Sequence, residues 1–210
     1  MTVRRYRSPG REEAAEQTRA RIVAAAGELL GTVGVGGFSL ESVAKAAGVT
    51  RLTVYNQLGS RRALLEAVFD ERAARGGLHR IAEAMASDDP HATIRRIIEV
   101  FCDFWGSDPE ALISLHDACA SDAEFADSIR ARHERRRRVF AQLVARLVER
   151  GEVRAAAAAD LADFLFVLTG IQFYAQLVAG KRTKKAACAM IQAAAEDAVR
   201  RAAPRRRGRK

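Results

Sequence analysis

Cysteine, proline and aromatic residues are scarce in this chain of 210 residues, and their scarcity excludes several classes of protein. The three cysteines, Cys102, Cys119 and Cys188, are far apart and lack a CxxC spacing, so neither a disulfide framework nor a zinc finger is indicated. Four prolines interrupt a sequence dominated by alanine, leucine, valine and arginine. This composition predicts an all-helical protein with one small domain and one larger one.

Patterns typical of enzymes are missing as well. No pair of nucleophile and base, no paired carboxylates and no phosphate-binding loop stands out, so we expect neither catalysis nor a cofactor. His116 and Cys119 have a spacing that would suit a soft metal, with Cys102 as a third ligand, but no complete ligand set can be named. We therefore expect no metal site and interpret the cysteines as small core residues.

The amino terminus is polar and basic and has no apolar run behind it, so the expected location is the bacterial cytoplasm. One charge-free segment, Phe164–Gly180, competes as a membrane span because Lys181 and Arg182 follow it. It has only 17 residues and includes Gln172 and Gln176, whereas a span prefers about 20 apolar residues. The segment is better explained as a helix covered by its own domain and by a second subunit.

The formal charge of +9 is concentrated at the two ends of the chain. Residues 1–11 carry +4 and residues 200–210 carry +7, which leaves −2 for residues 12–199. A general electrostatic coat for DNA would be basic throughout its body. The tails can hold phosphates without reading sequence, or they can serve solubility alone. For residues 1–11, insertion into a minor groove and simple disorder are both open.

The stretch from Phe38 to Leu65 is the most informative part of the chain. Its apolar residues lie on one face at helical spacing, and Gly48 then supplies a residue that can adopt positive φ. Thr50 can cap a second helix, in which Val54 continues the apolar line. Two short helices joined by a tight glycine turn predict a helix-turn-helix unit, whose second helix fits the major groove of DNA.

The remaining pattern predicts helices separated by glycine or proline breaks. The first helix is expected over about 12–30, and Ser60 is expected to cap a fourth helix that reaches about Arg75. A long helix over about 122–150, the apolar segment and a last helix over about 183–201 should follow. The expected organisation is a disordered basic arm at 1–11, a DNA-binding domain at 12–75, a second domain at 77–201 and a basic tail at 202–210.

The amino-terminal part resembles the TetR-type family of transcriptional regulators over roughly residues 17–70. The residues that carry the resemblance are Val43-Ala44, Ala47-Gly48-Val49-Thr50, Thr53-Val54-Tyr55, Ser60-Arg61 and Leu64-Leu65. The chain departs from the family pattern at Leu52, Gln57, Leu58 and Arg61. The resemblance implies an all-α homodimer, built through the last two helices, that binds a palindromic operator on double-stranded DNA and responds to a small-molecule effector.

Four side chains of the second helix are expected to read bases. Arginine can bind guanine through two hydrogen bonds, and asparagine or glutamine can bind adenine in the same way. These residues are Arg51, Thr53, Asn56 and Gln57. Arg19, Thr50, Tyr55 and Arg61 are expected to contact phosphates, which fix the register without reading sequence. Leu40, Val43, Ala47 and Val54 are expected in the core.

The second domain is expected to bind a small, mostly apolar effector, because such sites combine an apolar lining with a few polar groups. The candidate ligand-binding residues are Phe101, Phe104, Trp105, Leu112, Leu115, His116, Phe125, Ile129, His133, Phe164, Leu168 and Tyr174. Arg136 falls within an apolar helical stripe, so we expect it to meet an internal carboxylate or an acidic ligand. The alternative is that Arg136 extends to solvent.

The resulting hypothesis is a homodimeric repressor that is released from its operator by the effector. The alternative is a DNA-organising protein that needs neither a ligand nor strong sequence selection. Discrete protected palindromes would support the first and uniform coverage of DNA the second.

Overall fold

The protein is entirely α-helical over the part that the structure, a computed structural model, describes, which is residues 9–204; no β-strand occurs there. This confirms the all-α fold class. The helices are α1 Pro9–Val33, α2 Leu40–Ala47, α3 Arg51–Leu58, α4 Arg61–Arg75, α5 Arg80–Met85, α6 Pro90–Trp105, α7 Pro109–Ala118, α8 Ala123–Glu149, α9 Ala158–Leu168, α10 Ile171–Ala179 and α11 Lys184–Ala202. Most of the basic arm and most of the basic tail lie outside the described residues.

Helix α1 is longer at both ends than the sequence pattern indicates. It begins at Pro9, within the segment expected to be a disordered arm, and it continues through Gly31 to Val33. Glycine inside a helix costs only about 1 kcal/mol, so Gly31 does not end α1. The chain leaves the helix at Gly34, whose φ of 66° is accessible mainly to glycine.

The chain divides into two compact units. The amino-terminal unit comprises the described residues of Met1–Glu71 together with Glu110–Ala126, and the carboxy-terminal unit comprises Arg72–Pro109 and the described residues of Asp127–Lys210. The first division falls at Glu71 and Arg72 rather than at the expected Gly76-Gly77. Arg72 is 2% exposed and its Nε donates to Asp108 Oδ2 at 2.7 Å. The last turn of α4 is therefore anchored within the carboxy-terminal unit.

Residues of α1, α2, α3, α4, α7 and the start of α8 form the core of the amino-terminal unit. Helices α1, α2 and α3 pack against one another. The fully buried side chains are Ile22, Ala26, Leu30, Val43, Val54, Leu64, Leu65, Val68, Ala111, Ala118 and Phe125. Leu40, expected in the core, is only half-buried because it is the first residue of α2.

In the carboxy-terminal unit, α11 packs on α6, α9 and α10. Helix α6 begins sharply because Asp89 accepts hydrogen bonds from the N–H groups of His91 and Ala92, and Pro90 occupies the first turn. Its buried face includes Ile97, Ile98, Val100 and Phe104. Fully buried residues of α8, namely Phe140, Leu143, Val144 and Leu147, follow the expected apolar stripe.

The sequence pattern predicts a single helix over the apolar segment Phe164–Gly180. The structure instead shows the end of α9 followed by α10. The axes of the two helical segments are bent by 52°. Thr169 ends α9 because its hydroxyl donates to the carbonyl groups of Leu165 and Phe166, and Gly170 then adopts an extended conformation. Within the described residues no single helix is long and apolar enough to cross a membrane; Ala155–Leu168 and Ile171–Ala179 would qualify only as a bent pair.

Candidate nucleic-acid interface

The turn between α2 and α3 has the geometry that the sequence predicts. Gly48 ends α2 with φ 64° and ψ 37°, and its N–H donates to the carbonyl groups of Ala44 and Lys45. This left-handed conformation favours glycine. Thr50 then caps α3, because its hydroxyl oxygen accepts from the Thr53 N–H at 3.1 Å. The helix-turn-helix prediction is confirmed in both its glycine turn and its cap.

The starts of the two helices that flank α3 in the sequence, α2 and α4, are capped as well. Ser39 and Ser42 form a reciprocal capping box at the start of α2. Ser60 caps α4 as predicted, since its hydroxyl accepts from the Ala63 N–H at 3.1 Å. These caps satisfy donors that would otherwise lack partners at helix starts. The starts of α2, α3 and α4 are thus each closed by a side-chain cap.

Helix α3 has one face buried in the core and one exposed face, which carries residues predicted to contact DNA. Val54 and Leu58 are 0% and 7% exposed. Arg51, Asn56 and Tyr55 point to solvent, with Tyr55 56% exposed. The helix carries no carboxylate. Its outer face is therefore a cationic and amide-bearing surface that can enter a major groove without repelling phosphates.

Two of the predicted base-reading residues are less exposed than Arg51 and Asn56. Thr53 is half-buried, and its hydroxyl shares a hydrogen bond of 2.9 Å with that of Thr50. Gln57 is half-buried, and its backbone carbonyl accepts from Arg19 Nη1 at 2.7 Å. Arg19 therefore braces the end of α3 from α1 while the rest of its exposed guanidinium stays accessible.

Arg61 contacts two other residues of the amino-terminal unit, Phe38 and Asp122. Its Nε donates to the Phe38 carbonyl at 3.3 Å, and its Nη1 lies 3.4 Å from Asp122 Oδ2. The guanidinium also lies 5.6 Å from the centroid of the Phe38 ring. Asp122 in turn caps α8 by accepting from the Phe125 N–H at 2.9 Å. Arg61 thus anchors the start of α4 within the amino-terminal unit, and its contact with phosphate stays a prediction.

The candidate ligand-binding residues are distributed over both compact units. Leu112, Leu115, His116 and Phe125 belong to the amino-terminal unit, and the other eight belong to the carboxy-terminal unit. Leu112, Leu115 and Phe125 are buried core residues there. The sequence pattern could not separate the two sets, because both present apolar helical faces.

Within the carboxy-terminal unit, most of the candidates are buried. Phe101, Phe104, Trp105, Ile129, Leu168 and Tyr174 are all at most 7% exposed. His133 is half-buried and its ring lies 6.0 Å from that of Phe166 in an edge-to-face arrangement. Phe164 is 44% exposed on α9, where it lines an open groove of about 480 Å³ between α9 and α11. Its contact with an effector stays a prediction.

Arg136 is the polar residue within the apolar stripe of α8. Its surroundings match neither a carboxylate partner nor exposure to solvent. It forms no ion pair with a carboxylate of the described residues, so the internal-carboxylate hypothesis is wrong. It does not extend to solvent either, since its Nε is buried and lacks a hydrogen-bond partner. Its Nη1 donates to the Thr169 carbonyl at 2.8 Å, and its guanidinium lies 5.3 Å and 4.2 Å from the ring centroids of Phe101 and Phe166.

The carbonyl group of Thr169, at the carboxyl end of α9, accepts two hydrogen bonds. Trp105 Nε1 donates the second one at 3.0 Å. Burial lowers the pKa of Arg136 to about 10, and the positive charge of Arg137 adds to this effect. Arg137 itself is paired with Asp163. Aromatic rings and a helix carboxyl end thus replace the expected carboxylate, and the α9–α10 break that supplies this carbonyl was not evident from the sequence.

Replacing Arg136 with methionine is expected to leave the free energy of unfolding unchanged or to raise it by up to about 3 kcal/mol at pH 7. The folded protein has the lower pKa, so holding the charge costs stability below pH 10, and this cost disappears as the pH rises towards 12.5. The Thr169 carbonyl keeps its bond from Trp105. Urea denaturation measures the change, with Arg137→Met as the exposed control. A loss of more than about 1 kcal/mol, a typical net hydrogen bond, would contradict this account.

The cysteine residues do not assemble a metal site in the described part of the chain. No group of three or more histidine, cysteine or acidic side chains with metal-binding geometry occurs among these residues. Cys119 donates a weak hydrogen bond to the Leu115 carbonyl at 3.8 Å. Cys102 and Cys188 lie on the packed helices α6 and α11, and each affects the pKa of the other, a proximity that sequence spacing did not indicate.

Comparison with known proteins places this geometry in a family. The family of bacterial regulatory proteins called the tetR family matches residues 22–68. The HTH-type transcriptional regulator EthR of Mycolicibacterium smegmatis is 33% identical over 114 residues, which are 53% of this chain and 52% of EthR. The match thus spans about half the length of this curated relative.

Two solved structures have the same fold over most of their length. The TetR family transcriptional regulator PfmR from Thermus thermophilus has a TM-score of 0.68 at 18% identity, with 87% of this chain and 95% of that chain covered. A TetR transcription regulator from Haloarcula marismortui has a TM-score of 0.70 at 16% identity, with 88% and 97% covered. Residues 22–68, which the family matches, contain the glycine turn and the capped helix α3 described above. Residues 22–68 thus match the tetR family of bacterial regulatory proteins, and the resemblance predicted from the sequence is confirmed over this part of the chain.

Proposed function

We propose that this TetR-family regulator is a homodimeric repressor that binds a palindromic operator and leaves it when a small, mostly apolar effector binds. The observation that carries the proposal is the outer face of α3. There Arg51 and Asn56 are exposed beside a buried Val54, on a helix held by the caps of a glycine turn. A short, capped helix with this division of faces suits a major groove.

The proposed contacts divide by chemistry. Arg51 and Asn56 read bases through paired hydrogen bonds, and Thr53 and Gln57 support them from half-buried positions. Tyr55 contacts phosphate, together with the accessible part of the Arg19 guanidinium. Thr50 serves mainly as the cap of α3, because its hydroxyl already accepts from the Thr53 N–H.

The proposed dimer interface lies on α9 and α11. Large apolar side chains are exposed on both helices: Phe164 at 44%, Val167 at 56% and Met190 at 46%. The groove beside Phe164 is lined on α11 by the small side chains of Ala194 and Ala198. Small residues allow a second pair of helices to approach closely, as in a four-helix interface.

The proposed effector site draws on the buried aromatic residues of the carboxy-terminal unit. An apolar effector would contact rings such as Phe101 and Trp105, both 6% exposed. Arg136 is the side chain expected to meet a polar or anionic group of the effector, because its buried Nε has no partner. Mass spectrometry of the small molecules released from the denatured, purified protein would identify candidates.

Footprinting on the DNA that flanks the gene tests the proposed function. A repressor of this kind protects one or a few discrete palindromes, whose half-sites lie about 34–36 Å apart. Uniform coverage that grows with protein concentration would contradict the proposal and favour a DNA-organising protein.

Removal of residues 205–210, which carry five positive charges, is expected to weaken binding to operator and random DNA alike. The slope of log affinity against log salt should become about 0.9 less steep for every phosphate that the shortened protein no longer neutralises. Truncation after Pro204 spares the Ala202 carbonyl, which accepts from the Arg154 N–H at 2.9 Å. Titrations at several salt concentrations give the slope. An unchanged slope would assign the tail to solubility alone.

A further inference from the structure

Helices α6 and α11 are joined by polar contacts at matching positions. Lys184 Nζ lies 2.8 Å from Asp103 Oδ1. Two turns later on α11, Gln192 Nε2 donates to Glu99 Oε1 at 3.2 Å and to the Arg95 carbonyl at 3.3 Å. Since higher numbers on α6 meet lower numbers on α11, the two helices run antiparallel.

This register places two cysteines opposite each other. Cys102 precedes Asp103, and Cys188 lies midway between Lys184 and Gln192. The contacts on either side of them, Lys184 with Asp103 and Gln192 with Glu99, bring the two cysteines to the same level of the packed helices α6 and α11. Cys102 is 2% exposed, whereas Cys188 is half-buried and therefore reachable from solvent.

We propose that Cys102 and Cys188 form a reversible redox site, at which a peroxide-type oxidant converts the two thiols into a disulfide that ties α6 to α11 in their native packing. The site lies on the face of α11 that packs against α6, where Gln192 also lies. The groove residues Ala194 and Ala198 lie on another face. The proposal is therefore independent of whether the chain dimerises or represses.

The two thiols have unequal roles. The neighbouring Cys102 side chain lowers the pKa of Cys188, whereas the neighbouring Cys188 together with burial raises the pKa of Cys102. Cys188 is thus the thiol favoured to react as thiolate. Its sulfur attacks one peroxide oxygen, the O–O bond breaks, and a sulfenic acid and water result.

The second step uses the buried thiol. The Cys102 sulfur attacks the Cys188 sulfur, the S–O bond breaks, and the leaving hydroxide takes the Cys102 proton to form water. Two thiols and one hydrogen peroxide thereby give one disulfide and two waters. Disulfide formation requires the two sulfurs to approach to about 2.05 Å, which side-chain rotation can supply between helices that are already in contact.

Cys119 provides an internal comparison. Burial raises the pKa of its thiol, which donates to the Leu115 carbonyl rather than to another sulfur. We therefore expect Cys119 to remain a thiol under mild oxidation. The chain thus contains one paired site and one unpaired cysteine.

The test exposes the full-length, reduced protein to a slight excess of hydrogen peroxide. Free thiols are then blocked with N-ethylmaleimide in denaturant, so that the buried Cys102 is reached as well, and the peptides are mapped without reduction. The expected product is a peptide pair joined through Cys102 and Cys188, formed in the wild type and in Cys119→Ser. It should be absent from Cys188→Ser and Cys102→Ala, and dithiothreitol should reverse it.

Several results would overturn the proposal. One is that both thiols are still alkylated after oxidation. Another is that Cys188 is oxidised to sulfinic acid while Cys102 stays reduced. Joined chains instead of an internal bond would also contradict it. The Cys188→Ser variant alters a half-buried position and is expected to fold, so the test does not depend on Cys102→Ala.

Thermal unfolding supplies a second readout. A disulfide that closes so long a loop in native packing should raise the Tm by roughly 5–10 °C, and reduction should restore the original value. A disulfide form that melts at or below the reduced form would show that the bond requires distorted helices, and the proposal would fail.

Discussion

The substitution Val167→Arg is expected to give a folded monomer whose affinity for the operator is lower by about 100- to 10,000-fold. Val167 is 56% exposed on α9, so arginine at this position buries no new charge within the chain. In the proposed dimer two like charges would meet across the interface. Loss of the dimer removes the gain from binding two linked half-sites, which typically amounts to 10²–10⁴-fold.

Sedimentation velocity and operator titration measure these two effects of Val167→Arg together. Ile113→Arg is the matched control, because it places the same charge at an apolar residue on α7 that is 39% exposed. The control should remain a dimer and bind within about twofold of the wild type. A Val167→Arg protein that stays dimeric would remove α9 from the interface.

The substitution Arg51→Ala is expected to lower operator affinity by roughly 5- to 150-fold, which corresponds to about 1–3 kcal/mol for the loss of a paired hydrogen bond to guanine. Affinity for random DNA should fall only a few-fold, because at most one phosphate charge is left without its partner. Arg51 is exposed at the start of α3, so the substitution should not alter stability.

Competition titrations with operator and random duplexes give the ratio that decides the role of Arg51. Arg62→Ala serves as a control of equal charge, since Arg62 is exposed on α4 and pairs with Glu124 at 3.1 Å. It should affect both duplexes slightly and equally. Equal losses on both duplexes for Arg51→Ala would exclude this residue from base reading.

The helix-turn-helix could be predicted from the sequence because its determinants are local. Gly48 needs a left-handed conformation and Thr50 needs a free N–H three residues later, and both conditions lie within a few residues. The apolar spacing around Val54 then fixes which face of α3 is buried. The outer face, with Arg51 and Asn56, follows from the same periodicity.

Features that depend on distant contacts could not be predicted. The break between α9 and α10 depends on Thr169, whose carbonyl is held by Trp105 and Arg136 from other helices. The pairing of Cys102 with Cys188 depends on the register of α6 against α11, which no local pattern encodes. Arg61 likewise meets Asp122, at the start of α8, rather than solvent.

The stoichiometry of the complex on a footprinted palindrome tests the central claim most directly. Analytical ultracentrifugation would compare the palindromic duplex with one in which a single half-site is scrambled. The account predicts two chains on the palindrome and a large loss of affinity on the scrambled duplex. One chain per palindrome, or equal affinity for both duplexes, would contradict it.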